Sequence, residues 1–302
     1  MSRARALALV AALAIALAAC RRGERIVVGS KNFGEQVLLG EIVAQAIEAR
    51  TGLAVERRLN LGGTFVCDHA IRAGELDIYV EYTGTAESAI LKRPPPGDRT
   101  AVLDDVRREY AKQALEWTEP LGFENTFALV VRGDDAERAG VRTISDLAAH
   151  PNWRAAFGYE FMERADGFQG LAERYQWKPR QPPRVMELGL LYRALVEAKA
   201  DVVAGNSTDG VIERLRLRIL ADDRRYFPPY DAVPIVRRAV VERHPEVRAV
   251  LTALGGSLTA DEMRKLNDRV ESQRVPAEIV AREVVSRLPQ SGEAHPRERD
   301  PR

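Results

Sequence analysis

The chain has 302 residues, of which 45% are hydrophobic and 29% are charged. These fractions are ordinary for soluble globular proteins, so they favour neither a disordered chain nor a bundle of membrane helices. The 45 lysine and arginine residues nearly balance the 44 aspartate and glutamate residues, which gives a net charge of +1. Because no basic excess or basic face stands out, the sequence predicts no nucleic-acid partner.

The first twenty residues differ in kind from the rest of the chain. Arg3 and Arg5 precede an apolar stretch of small side chains, which has the composition of a secretory signal and is too short for a stable membrane-spanning helix. The stretch ends in Leu17-Ala-Ala-Cys20, a pattern that resembles the bacterial lipobox. We therefore predict that residues 1–20 form a lipoprotein signal peptide and that Cys20 is lipidated. The alternative is a cysteine that merely follows an Ala-rich signal.

Cys67 is the other cysteine of the chain, and it has no disulfide partner if Cys20 is acylated. A lone cysteine on an apolar helical face is usually a small buried hydrophobe, and we expect that role for Cys67 rather than that of a nucleophile.

Apolar periodicity predicts a βαβαβ unit at the start of the mature chain. Its strands are expected over residues 25–29, 54–59 and 77–82, and its two helices are expected to end at Gly52 and Gly74. Such a unit requires a mostly parallel sheet with right-handed crossovers.

The remaining chain predicts a second α/β lobe and a return to the first. After a loop at 94–97 and one more helix, the strand over 126–132 is expected to enter the second lobe, and the strand over 233–237 to return. Between them we expect a second parallel sheet with strands near 155–158, 184–188 and 201–205. Three helices close the fold, and the second begins with a capping box at Thr259-Ala-Asp-Glu262. The predicted units are lobe 1 over 25–124 plus 232–288, lobe 2 over 125–231, and a disordered tail over 289–302.

Motifs of common enzymes are missing from the sequence. It has no dinucleotide-binding glycine pattern, Walker A loop, nucleophile elbow or zinc-protease motif, and its four histidines have no metal-site spacing. We therefore predict no metal, no cofactor and no catalytic residue. Asp222-Asp223 is the best carboxylate pair, and a turn or cap is its expected role.

A set of aromatic and cationic residues near glycine-rich or proline-rich turns suggests a small zwitterionic ligand. A quaternary ammonium group cannot donate hydrogen bonds, so proteins hold it with aromatic faces. A carboxylate at the other end needs Lys or Arg donors. The candidate residues for such a site are Lys31, Tyr82, Thr85, Phe127, Arg164 and Tyr230.

About residues 25–288 resemble the substrate-binding proteins of ABC transporters for osmoprotectants such as glycine betaine, carnitine and choline. The resemblance rests on separated blocks, which are GSKNFGEQ at 29–36, GGT at 62–64, GELD at 74–77, EYTGT at 81–85, EF at 160–161, RADG at 164–167, STDG at 207–210, DD at 222–223 and FPPY at 227–230. It implies a type II periplasmic-binding-protein fold, an α/β fold of two lobes that close on the ligand. It also implies permease and ATPase partners and a membrane-anchored position on the periplasmic side of the envelope.

The resemblance assigns roles to residues by position. Lys31, Arg164 and Thr85 address the carboxylate, while Tyr82 and Tyr230 belong to an aromatic cage around the ammonium group. Phe127 stands where the family commonly has a tyrosine and keeps the aromatic face. Asn206 stands where the family commonly has another cage tyrosine, so one wall is missing, and a loss of about 1 kcal/mol would weaken a betaine site roughly fivefold.

Three hypotheses follow from the sequence. The leading one is a lipid-anchored binding protein for a quaternary ammonium osmolyte. The second keeps the fold but changes the ligand to an amino acid or a larger betaine such as ergothioneine, which Asn206 makes plausible. The third is a surface-anchored hydrolase or transferase using Asp222, Asp223 or Glu81, for which no nucleophile and base pair is evident.

Overall fold

The computed structural model describes residues 25–93 and 98–288. The predicted signal peptide with Cys20, the loop at 94–97 and the predicted tail over 289–302 lie outside these residues. Within the described part of the chain, no helix is long and apolar enough to cross a membrane.

The first sheet has five strands in the order β2-β1-β3-β10-β4. They are β1 Ile26–Lys31, β2 Val55–Gly62, β3 Ile78–Tyr82, β4 Leu115–Trp117 and β10 Ala232–Arg237. The predicted βαβαβ unit is confirmed, because β1 pairs in parallel with both β2 and β3. The returning strand β10 pairs antiparallel with β3 and β4.

The second sheet has the order β7-β6-β8-β5-β9. Its strands are β5 Phe127–Arg132, β6 Ala155–Phe157, β7 Arg184–Val185, β8 Val202–Asn206 and β9 Leu217–Ile219. The three strands expected to be parallel are confirmed, because β6 pairs in parallel with β7 and β8, but the sheet as a whole is mixed, since β5 runs antiparallel to β8 and β9. In each sheet, the first strand after the chain crosses over, β5 or β10, runs antiparallel to its neighbours. An apolar run in the sequence does not indicate the direction of a strand.

Helices cover the sheets and connect their strands. In the first half they are α1 Gly34–Thr51, α2 Thr64–Ala73, α3 Thr83–Thr85 with a π-helical turn at Ala86–Ile90, and α4 Arg99–Ala111. In the middle they are α5 Gly133–Ala139, α6 Ile144–Ala148, α7 Tyr159–Glu163, α8 Phe168–Tyr175, α9 Leu188–Val196 and α10 Val211–Arg214. After β10 they are α11 Arg238–Arg243, α12 Pro245–Ala253, α13 Ala260–Asn267 with a π-helical turn at Asp268–Ser272, and α14 Ala277–Arg287.

Both faces of the first sheet are buried. Along β3, Ile78 and Val80 pack into one apolar cluster, whereas Tyr79 packs into another on the opposite face. Successive strand residues point to opposite faces, so a strand covered on both sides must be apolar at nearly every position. This explains the uninterrupted apolar run in the sequence. The polar residues Glu81 and Tyr82 lie at the carboxyl end of β3, outside this apolar run.

Two short segments carry the chain between the sheets, and they lie side by side. Asn125 donates its backbone N–H to the carbonyl of Tyr230 at 3.0 Å, and Ala232 donates to the carbonyl of Phe123 at 3.1 Å. A bridge between Glu124 and Asp231 completes the pairing. The two crossings therefore form a compact connection at the base of the cleft between the sheets.

Candidate functional site

A cavity of about 740 Å³ lies between the two sheets. Its walls come from the ends of β1 and β3 on one side and from β5, α7, α9 and the end of β8 on the other. All seven residues predicted from the sequence line this one cavity: Lys31, Tyr82, Thr85, Phe127, Arg164, Asn206 and Tyr230. The volume falls within the range of roughly 300–1,000 Å³ that is typical of small-molecule sites.

Lys31 enters the cavity already paired with a carboxylate. Its Nζ lies 2.5 Å from Oε1 of Glu81 and 3.4 Å from the hydroxyl of Thr64. Glu81 is fully buried, and burial raises its pKa although the nearby Lys31 ammonium acts in the opposite direction. The positive charge of Lys31 is therefore largely balanced before any ligand arrives.

Arg164 is balanced in the same way. Its Nε and Nη2 donate to the two carboxylate oxygens of Asp166 at 2.8 and 2.5 Å, and Nη2 also reaches the hydroxyl of Thr85 at 3.2 Å. The hydroxyl of Tyr230 donates to the same aspartate at 2.6 Å. Arg164 follows α7, whereas Thr85 lies in α3, so their contact joins the two sides of the cavity.

Two of the predicted aromatic walls carry a cation of the protein itself. The Nζ of Lys31 lies 4.5 Å from the ring centroid of Tyr82, and Cζ of Arg164 lies 4.7 Å from that of Phe127. Both distances are within the range of cation–π contacts. One face of each ring is therefore already occupied.

Glu35, at the start of α1, connects both sides of the cavity base. Its carboxylate accepts four hydrogen bonds of 2.5–2.7 Å, from the hydroxyls of Tyr82 and Thr208 and from the amides of Asn125 and Asn267. Tyr82 and Thr208 come from different sheets, because they end β3 and follow β8. All four donors are neutral groups, so hydrogen bonds rather than an ion pair stabilise this buried charge.

Asn206 lies at the end of β8 beside a buried aspartate. Its backbone N–H donates to Oδ2 of Asp209 at 2.8 Å, and the hydroxyl of Tyr192 donates to the same oxygen at 2.5 Å. Asp209 and Tyr192 both line the cavity. Burial raises the pKa of Asp209 and that of the Tyr192 hydroxyl, which keeps the phenol protonated as a donor.

The cavity mouth is largely apolar. Its exposed large hydrophobic side chains come from α2 on one side and from α7, β7 and α9 on the other, and they are Phe65, Val66, Tyr159, Val185, Leu188 and Leu190. Asn32 and Glu187 are the exposed polar residues of the described lining. The base is thus rich in paired charges and hydrogen bonds, whereas the mouth offers aliphatic and aromatic surface.

The carboxylates considered for catalysis have structural partners. Asp222 accepts the backbone N–H groups of Tyr226 and Phe227, both at 2.9 Å, and Asp223 accepts that of Ser145 at 3.2 Å. These are turn contacts outside the cavity lining. Cys67 is fully buried as expected, and burial raises the pKa of its thiol to about 12.

Comparison with known proteins identifies the chain. Residues 24–287 match the OpuAC family, the substrate-binding domain of ABC-type glycine betaine transport systems. The chain belongs to this family. It is therefore a substrate-binding component of an ABC transporter, and the two-lobed α/β fold predicted from the sequence is confirmed.

Relatives named for different ligands are similarly related to this chain. A glycine-betaine-binding protein of Pseudomonas aeruginosa is 34% identical over 272 residues, covering 86% of this chain and 87% of the relative. The ergothioneine transport permease/ergothioneine binding protein EgtU of Helicobacter pylori is 32% identical over 266 residues. That match covers 87% of this chain but only 47% of EgtU, so the chain spans about half of that relative. A solved glycine betaine/carnitine/choline ABC transporter protein has 28% identity and a TM-score of 0.73, covering 86% of this chain and 97% of the other.

The sequence of this OpuAC member did not reveal which side chains form hydrogen bonds and ion pairs with the candidate residues. Asp166 lies two positions from Arg164, so their proximity in the sequence was a usable signal. Glu81 gave no signal of this kind, because its partner Lys31 is 50 positions away. Tyr192 gave no such signal, because it lies on α9 and reaches the end of β8 only through the fold.

Proposed function

We propose that this protein captures a quaternary ammonium osmolyte of the glycine betaine class outside the cytoplasm and delivers it to the permease and ATPase of its transporter. The observation that carries the proposal is the convergence of all seven predicted residues on one cavity between the two sheets. We assign lobe 1 to 25–124 plus 232–288 and lobe 2 to 125–231, so that the cavity is the cleft the lobes close. The protein acts by binding and release, without turnover of its ligand.

Closure requires a ligand that contacts both lobes. Differential affinity for the closed state is what shifts the population toward it. The cavity supplies contacts on both sides, since Lys31 and Tyr82 belong to lobe 1 whereas Phe127 and Asn206 belong to lobe 2. A ligand held between these residues stabilises the closed arrangement.

Calorimetric titration with glycine betaine, carnitine, choline and ergothioneine tests the proposal. At least one compound should bind, and a concentration of 100 times its Kd should stabilise the protein by about 2.7 kcal/mol. Thr85→Val, which removes a hydroxyl from the cavity base, should weaken binding about tenfold. Thr252→Val on α12, outside the cavity lining, is the matched control. Absence of binding across the panel would reject the osmolyte proposal while leaving the family assignment intact.

A larger betaine is the second candidate for the ligand. The cavity has room beyond its polar base, and its mouth exposes half or more of Phe65, Tyr159 and Val185. A compound with an aromatic or aliphatic arm would bury this surface at roughly 25 cal/mol per Å². Competition between ergothioneine and glycine betaine for the same protein distinguishes the two candidates.

We also propose that Cys20 carries a lipid that anchors the protein on the periplasmic side of the envelope. The support is the basic, apolar and Leu-Ala-Ala-Cys order of the N-terminal segment. Cells producing the full chain should incorporate labelled palmitate into it, and the Cys20→Ala variant should not. Equal labelling of both forms would contradict the anchor.

A further inference from the structure

The charges around the cavity differ in how they are balanced. Lys31 and Arg164 are paired with Glu81 and Asp166, as described above. Asp209 is 8% exposed and lines the same cavity, yet no lysine or arginine of the described chain forms an ion pair with it. Its partners are the hydroxyl of Tyr192 and the amide groups of Asn206. Asp209 is thus a buried cavity carboxylate whose contacts are all with neutral groups.

A cationic group of the ligand would provide the counter-charge that Asp209 lacks. A buried charge is costly without a counter-charge, and the nearby carboxylate of Glu35 adds to the effect of burial in disfavouring the ionised form of Asp209. The faces of Tyr82 and Phe127 toward Lys31 and Arg164 are already taken. Asp209 is therefore the buried carboxylate of the cavity lining that has no lysine or arginine partner among the described residues.

Tyr192 adds an aromatic ring at this place. It projects from α9 across the end of β8, where it meets Gly205. A Cβ added at Gly205 would lie 1.9 Å from the Tyr192 hydroxyl and 2.8 Å from its Cζ, so only glycine leaves room for the ring. The tyrosine therefore lies next to Asn206, the position at which the strand itself provides no aromatic side chain.

We propose that Tyr192 and Asp209 form the subsite for the ligand's quaternary ammonium group. The Tyr192 ring supplies from α9 the aromatic wall that Asn206 does not supply from β8, and Asp209 supplies the negative charge. This assignment rests on the proposed function and makes it specific, because it places the cationic end of the ligand at lobe 2, away from Lys31.

A pair of probes tests the assignment. Glycine betaine and tert-butylacetate have nearly the same shape, but a neutral carbon replaces the charged nitrogen in the second. The unaltered protein should bind glycine betaine at least about tenfold more tightly in calorimetric titrations. Asp209→Asn should reduce this preference by about tenfold, because it removes the negative charge while keeping the size of the side chain.

Substitutions of Tyr192 separate the ring from its hydroxyl. Tyr192→Leu should weaken glycine betaine binding about tenfold, whereas Tyr192→Phe, which keeps the ring, should lose only about threefold. Val196→Ala, at an exposed position of α9 outside the cavity lining, is the control on the same helix and should change the affinity less than about twofold. Far-ultraviolet circular dichroism identifies variants that fold, and the Phe variant keeps the test decisive if the Leu variant does not.

The results distinguish the two proposals. If the unaltered protein binds neither glycine betaine nor any other trimethylammonium compound of the panel, the proposed function and this subsite both fail. If it binds glycine betaine and the folded Asp209→Asn and Tyr192→Leu variants keep its affinity and preference, the subsite alone is wrong.

Discussion

Buried charges at the base of the cavity are stabilised in two different ways. Lys31 and Arg164 each meet a carboxylate, whereas Glu35 has only neutral hydrogen-bond donors around it. A carboxylate has two acceptor oxygens and about four lone-pair sites, and the four donors around Glu35 use all of them. Removing this acceptor would leave several buried donors without a partner.

Glu35→Gln should therefore lower the free energy of unfolding by about 3 kcal/mol. The amide presents an NH₂ group to donors that need an acceptor, and each buried donor left unsatisfied costs about 1–3 kcal/mol. Urea unfolding followed by fluorescence measures the change. Glu173→Gln, on an exposed position of α8, should alter stability by less than about 0.5 kcal/mol. Equal midpoints for Glu35→Gln and the unaltered protein would show that these hydrogen bonds do not depend on the carboxylate.

At the scale of the elements, Asp201 joins three strands of the second sheet. It precedes β8 and accepts hydrogen bonds from Arg132 at the end of β5 and from Arg154 just before β6. Partial burial opposes ionisation, but the hydrogen bonds from the two arginines outweigh it and hold the pKa of Asp201 well below its ordinary value. The aspartate thus joins β5, β6 and β8 at one end of these strands, and the opposite ends of the same strands form the cavity wall.

Asp201→Asn should destabilise the protein by about 2 kcal/mol at pH 7, because hydrogen bonds to a charged group are replaced by weaker ones. A depressed folded-state pKa contributes stability above the unfolded value near 4, and this contribution is lost as the pH falls through the folded value. The stability difference should therefore shrink below about pH 4. Urea unfolding at several pH values measures it, and Asp104→Asn on the exposed side of α4 is the control. A difference that stays constant down to pH 2 would contradict the ion-pair account.

Local signals in the sequence predicted most elements of the fold. Gly52 and Gly74 end their helices with φ angles of 72° and 79°, and the capping box at Thr259 and Glu262 is present. The three-residue strands β4 and β9 were not predicted, because three residues are too few to show an alternating apolar pattern. The antiparallel direction of β5 was not predicted either, because the path of the chain between the lobes decides the orientation of a strand and local side chains do not.

The candidate site was predictable to a similar extent. Residue type and position brought all seven predicted residues to one cavity. Their pairing was not predictable, since the contacts of Arg164 with Thr85 and of Tyr192 with Asp209 join residues that are distant in the sequence. Such contacts depend on how elements pack, and a single sequence carries no direct record of packing.

At the scale of the whole molecule, the lobes also meet at a contact away from the crossings. Glu160 on α7 accepts the backbone N–H of Thr64 at 2.8 Å, at the start of α2. Helix N-termini have unpaired N–H groups and a partial positive charge, so they attract a carboxylate. Gly63 makes the approach possible, because a Cβ there would lie 2.1 Å from Oε1 of Glu160.

Gly63→Ala should therefore weaken ligand binding about tenfold by removing a charged hydrogen bond between the lobes. The backbone of Gly63 has a φ of −75°, which alanine adopts without strain, so the stability of the unliganded protein should change little. Gly189→Ala on α9, where an added Cβ meets nothing within 4 Å, is the matched control and should bind like the unaltered protein. Small-angle scattering with saturating ligand should show a larger radius of gyration for Gly63→Ala than for Gly189→Ala. Identical affinities and radii for the two variants would mean that the contact between Glu160 and Thr64 contributes nothing to closure.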